Sequence, residues 1–116
     1  MVLALVDDLM FRSKIKSTAT QLGVRVAFVS SRDAALAAVQ SEEPALVVLD
    51  LNNPRTDPLG TIAALKRDKA LAPIRVVGFV SHVDVATIDA AKAAGIDEVL
   101  ARSAFTMRLP DLLAGR

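Results

Sequence analysis

An alternation runs along the chain and limits its fold more than any other feature. Five short runs, residues 2–6 (VLALV), 24–29 (VRVAFV), 45–49 (ALVVL), 74–80 (IRVVGFV) and 98–100 (EVL), have the length and the Val, Ile, Leu and Phe content of strands. Helical stretches separate them. Phe11, Ile15, Ala19 and Leu22 recur at helical spacing, and Gly23 follows as a stop. Residues 33–40 (DAALAAVQ) are rich in alanine, with Ser30 or Ser31 as cap. A third helix is expected over 61–69, after a loop at 54–60, and a fourth over 84–94, closed by Gly95. The last, over 105–114, is weakened by Pro110, which lacks a backbone donor. Mostly apolar strands alternating with helices make a parallel sheet covered on both faces. Right-handed crossovers then give a doubly wound, three-layer α/β/α sandwich, and the commonest order at this size is 2-1-3-4-5.

The bulk numbers fit that frame. A chain of 116 residues suits one domain over 1–116, and 53% apolar with 23% charged residues argues for a packed core. No apolar run approaches the roughly 18 residues that span a bilayer, and MVLALVDD lacks a basic leader. With no cysteine there are no disulfides or thiolate metal sites, which suits a cytoplasmic protein. A net charge of +1 offers no basic face for nucleic acid. The groups Arg12, Lys14, Lys16 and Lys66, Arg67, Lys69 read as solvated helix faces, and Met10 and Met107 as ordinary packing residues.

In a sheet of this kind ligands bind beyond the carboxyl ends of the strands, near the switch point between strands 1 and 3. The residues expected there are unusually polar. Strand 1 gives out into Asp7-Asp8, strand 3 into Asp50, strand 4 into Ser81-His82, and strand 5 leads to Arg102. Helix capping explains one aspartate after strand 1 but not the second. Two carboxylates about 4 Å apart at an effective dielectric of ~20 repel by about 4 kcal/mol, so a cluster of three needs protons or a cation. An all-oxygen donor set suits a hard ion, Mg²⁺ or Mn²⁺, together with a phosphoryl group.

In this order the residues resemble the receiver domain of two-component response regulators. The resemblance spans essentially the whole chain. It rests on Asp7-Asp8 after strand 1, Asp50 closing strand 3, Pro54 four residues later, Ser81 closing strand 4, and AAGIDEVL (93–100) leading into strand 5. It implies the flavodoxin-like receiver fold and a phosphorelay function. Asp50 would be the phosphoacceptor, Asp8 a direct Mg²⁺ ligand, Asp7 a ligand mainly through water, and the Asn52 backbone carbonyl a further ligand. Ser81 would hydrogen-bond the phosphoryl oxygens. The implied partners are a sensor histidine kinase or phosphotransfer protein and an output protein docking on helix 4–strand 5–helix 5, a surface that could also pair two copies. The domain would be a switch and not a turnover enzyme.

Three positions depart from the family pattern. Arg102 stands where a lysine is usual and is followed by Ser103, not proline; it could reach a phosphoryl oxygen or point to solvent. Val99 stands where an aromatic switch residue is common, and the chain has no Tyr or Trp. His82 follows Ser81 in place of a small residue and could narrow access to Asp50, as could a 54–60 loop longer than typical. These departures motivate an alternative, a degenerate receiver working as a phosphorylation-independent interaction module. A flavin carrier of the same strand order fits poorly, because Asp7-Asp8 would repel the cofactor phosphate. A metal-dependent phosphatase would want a carboxylate where Asn52 stands.

Overall fold

The computed structural model describes residues 1–81 and 84–116, so His82 lies outside the described residues. The chain runs β1 (Val2–Leu5), α1 (Leu9–Leu22), β2 (Val26–Val29), α2 (Arg32–Glu42), β3 (Leu46–Asp50), a 3₁₀ turn (Pro54–Thr56), α3 (Pro58–Arg67), β4 (Arg75–Val80), α4 (Val85–Ala94), β5 (Glu98–Ala101) and α5 (Arg102–Leu113). All neighbouring strands are parallel, in the expected order β2-β1-β3-β4-β5.

Alternation of side chains along the buried strands divides the core in two. Val2, Ala4, Leu46, Val48, Val77 and Phe79 pack with Ile15 and Ala19 of α1 and with Phe105, Leu109 and Leu112 of α5. Leu3, Leu5, Val47, Leu49 and Val76 pack on the other face with Ala35, Val39, Ile62, Leu65 and Ala91 from α2, α3 and α4. At about 25 cal/mol per Å² of apolar area, burying these Val, Leu, Ile and Phe side chains is the main stabilising contribution.

Caps set most helix limits. Asp8, Ser31 and Asp84 accept first-turn amides of α1, α2 and α4, and Gly23 and Gly95 end α1 and α4 in the left-handed region at φ 70° and 101°. Two helices begin earlier than expected. α3 starts at Pro58 because Asp57, left-handed at φ 55°, accepts from the Gly60 amide, and proline is tolerated at the first helical position. The stretch 54–60 is therefore a 3₁₀ turn followed by a first helical turn, not an extended loop. α5 starts at Arg102 with no side-chain cap and continues through Pro110.

Two groups of residues depart from their sequence reading. Met10 and Met107 are 81% and 82% exposed and take no part in the core. Arg12 and Lys66 are half-buried and turned back onto the fold: Arg12 donates to the Val6 carbonyl and the Ser30 hydroxyl, and the Lys66 ammonium donates to Ala72 O, Ile74 O and Asp97. No helix among the described residues is long and apolar enough to cross a membrane.

Candidate functional site

Asp50 is the last residue of β3 and only 4% exposed. Leu46 and Val48 face α1 and α5, and the two-residue period carries the Asp50 side chain to that same face. Its register partner on β4 is Phe79. One carboxylate oxygen, Oδ1, accepts the Asn52 amide at 3.0 Å. Arg102, at the start of α5, brings Nη2 to 3.8 Å from that oxygen. Of the two orientations open to Arg102 in the sequence, the structure has the one toward Asp50. Burial pushes the Asp50 carboxyl above its ordinary value; the Asn52 amide and the Arg102 charge pull it back, and the nearby Asp8 charge adds to the rise.

The two aspartates after β1 are turned to different tasks. Asp8 Oδ1 accepts the Phe11 amide at 3.0 Å, the first-turn bond that starts α1. Asp7 Oδ1 accepts the Ser30 hydroxyl at 3.1 Å and lies 3.9 Å from Arg12 Nη2. The tight three-carboxylate cluster expected from the sequence is therefore not formed: among the described residues no three acidic or histidine side chains are gathered as a cation-holding group. Asp8 and Asp50 remain close enough for one charge to act on the other. That pair, with oxygen donors only, fits a hard divalent ion, which usually takes one or two carboxylates.

Ser81 follows β4, and its amide donates to Asn52 Oδ1 at 2.6 Å. The same Asn52 side chain donates from Nδ2 to Asp84 Oδ2 at 2.9 Å, while Asp84 Oδ1 accepts the Thr87 amide at 3.1 Å. Asn52 thus touches Asp50 through its backbone and the β4–α4 connection through its side chain. The sequence alone assigns Asn52 only a carbonyl. It does not reveal Asp84 as its partner, nor Phe11 and Phe79 as neighbours of Arg102. The Arg102 guanidinium carbon lies 5.3 Å from the Phe11 ring centroid and 5.9 Å from that of Phe79. The one signal available was scarcity: of four phenylalanines, three come together here.

Order 2-1-3-4-5, with polar residues gathered where β1, β3, β4 and β5 end, defines a flavodoxin-like α/β domain whose site lies beyond the carboxyl ends of its strands. The family model of the response regulator receiver domain matches residues 2–113, and the chain belongs to that family. No curated protein matches the sequence. Among solved structures, the receiver domain of NtrX from Brucella abortus is 24% identical, with TM-score 0.80, covering 100% of this chain and 96% of that one. The phosphorylated cyanobacterial phytochrome response regulator RcpA is 21% identical, with TM-score 0.80 and coverage of 98% and 88%. The Mn²⁺-bound form of response regulator Rcp1 is 21% identical, with TM-score 0.76 and coverage of 98% and 88%. These likenesses establish the fold. Receiver domains are signalling domains of two-component systems, not turnover enzymes; they generally bind Mg²⁺ or Mn²⁺ and work with histidine kinases or phosphotransfer proteins.

Proposed function

We propose that this chain is a phosphoacceptor switch in which Asp50 takes a phosphoryl group from the phosphohistidine of a sensor kinase or phosphotransfer protein, or from a small acyl phosphate. The observation that supports this most is a carboxylate 4% exposed at the sheet's switch point, with the Asp8 charge nearby and a guanidinium 3.8 Å away. Burying a charge so costly to desolvate calls for a task beyond packing.

The chemistry is a displacement at phosphorus. An Asp50 oxygen forms the new P–O bond. With an acyl phosphate, the old P–O bond breaks and the carboxylate leaves with the electron pair; with phosphohistidine, the P–N bond breaks and the imidazole leaves. In such transfers the protein mainly positions groups and offsets charge on the phosphoryl oxygens. The Asn52 amide fixes one Asp50 oxygen and so orients the nucleophile. Arg102 supplies fixed positive charge, and the Ser81 hydroxyl is the donor from the β4 side. Asp8 and Asp50 would hold Mg²⁺ or Mn²⁺, with the Asn52 carbonyl, and with Asp7 through water; when bound, the ion adds positive charge beside the nucleophile. The phosphorylated form would signal to an output partner, or pair with a second copy, through α4, β5 and α5, and the protein would work in the cytoplasm.

Incubation with acetyl phosphate and Mg²⁺ tests this. Intact-protein mass should rise by one phosphoryl group in the wild type and stay unchanged in Asp50→Ala. A wild type that gains nothing under these conditions points instead to the degenerate interaction module, the reading favoured by Val99 and Arg102.

A further inference from the structure

The Arg102 guanidinium sits beside two aromatic rings, and that setting says more than its distance from Asp50. Phe11 of α1 stacks on Phe79 of β4 with centroids 4.6 Å apart, and Phe79 stacks on Phe105 of α5, also at 4.6 Å. This column joins three elements of the site, and the guanidinium rests at its Phe11–Phe79 end. No side-chain cap fixes the start of α5, where Arg102 is the first residue. The groups beside the guanidinium are the two rings and the Asp50 carboxylate. Arg102 Nε is buried and, among the described residues, has no hydrogen-bond partner. A buried donor left unmatched is unfavourable, so its retention calls for an acceptor at some stage of the working cycle.

We infer that Phe11 and Phe79 form a seat that makes this rim specific for a guanidinium: they hold Arg102 beside Asp50 with Nη2 opposite the carboxylate and Nε kept for an oxygen of the phosphoryl group. The inference rests on the proposed phosphorylation of Asp50. Its physical basis is shape. A guanidinium can keep its face on a ring while its edge N–H groups donate in the plane, two at a time, to phosphoryl oxygens. An ammonium is a compact, strongly hydrated point charge with neither a face to stack nor a two-pronged edge. Arginine at position 102 and rings at 11 and 79 are thus one device, and Phe11 is a positioning residue acting through Arg102. Phe79 is fully buried in the core, whereas Phe11 is only partly buried, so Phe11 is the ring to vary.

Four proteins decide the matter: wild type, Arg102→Lys, Phe11→Leu and the double variant, with Phe11→Tyr as the conservative control. The rate of Asp50 phosphorylation by acetyl phosphate in Mg²⁺ is measured for each, beside its urea midpoint. With Phe11 intact, Arg102→Lys should slow phosphorylation roughly tenfold, the scale of one partly desolvated ring contact, since lysine keeps the charge. In the Phe11→Leu background the same change should matter by less than about twofold, because the seat is already gone. Phe11→Tyr should keep the wild-type rate. A lysine variant as fast as wild type, or an equal lysine effect in both backgrounds, would overturn the inference. If the wild type accepts no phosphoryl group, the proposed function fails on its own account. The urea midpoints then judge the seat: non-additive losses for Arg102 and Phe11 uphold it, and additive losses remove it.

Discussion

Burial raises the Asp50 carboxyl, and this sets a pH dependence that can be followed without any phosphodonor. Below the ordinary aspartate value of 3.8, Asp50 is neutral in both the folded and the unfolded chain, and its ionisation costs nothing. As pH rises through the higher folded-state value, the folded protein must hold a buried carboxylate, and stability is lost. Asp50→Asn, which keeps an acceptor for the Asn52 amide, should escape this loss. Its urea midpoint at pH 7, without divalent ions, should exceed the wild type's by an amount equivalent to about 1 kcal/mol. The gain should fade as pH falls toward 3.8. Equal midpoints at pH 7 would mean that Arg102 compensates the burial fully. The residues of the site were legible in unequal degree. Asp7, Asp8, Asp50 and Ser81 stand where strands end, and strand ends can be read from runs of apolar residues. The direction of Arg102 could not be read, because it depends on rings supplied by α1 and β4, far away in sequence. For the same reason composition did not tell that Met10 and Met107 face outward while Arg12 folds back onto the Val6 carbonyl.

Among the elements, β4 contains an apparent weakness, Gly78 in the middle of a mostly apolar strand. The structure explains it by a close approach. A Cβ at this position would come within 2.7 Å of Leu51 Cδ1 and 3.0 Å of Ile96 Cδ1. Leu51 directly follows Asp50, and its amide bonds the Phe79 carbonyl at 3.0 Å, so the glycine makes room for the residue that turns the chain away from the acceptor. Gly78→Ala should therefore destabilise the fold by about 1–3 kcal/mol through overpacking, despite alanine's better strand propensity. Chemical denaturation measures this directly, and an unchanged midpoint would show that Leu51 has space to move. Strands and helices were legible as elements because length, branched side chains and helical spacing are local properties. Their limits were less so around 54–60. Proline and glycine there signalled a loop, yet Pro58 occupies the first position of α3 and Asp57 takes a left-handed conformation to cap it. The Arg32 guanidinium, 3.2 Å from Asp57, supports that cap from α2, a contact the local sequence does not reveal.

Across the whole molecule, parallel strands place every carboxyl end on one rim and every amino end on the other. The rim with Asp50 is joined by exposed loops and single side chains such as Asn52. The opposite end is fastened more firmly, since the Lys66 ammonium gathers Ala72 O, Ile74 O and the Asp97 carboxylate, each within 2.9 Å. Asp97 also accepts the Val76 amide at 2.7 Å, which ties the entry of β5 to β4. One consequence reaches beyond architecture. The Lys66 amine is enclosed by its three acceptors and closed to an acylating reagent, whereas Lys14, Lys16 and Lys69 are exposed. Brief treatment with an N-hydroxysuccinimide ester should label those lysines and spare Lys66 until the chain unfolds. The peptide containing residue 66 then becomes a built-in clock for global opening, and rapid labelling of it under native conditions would show that this end breathes.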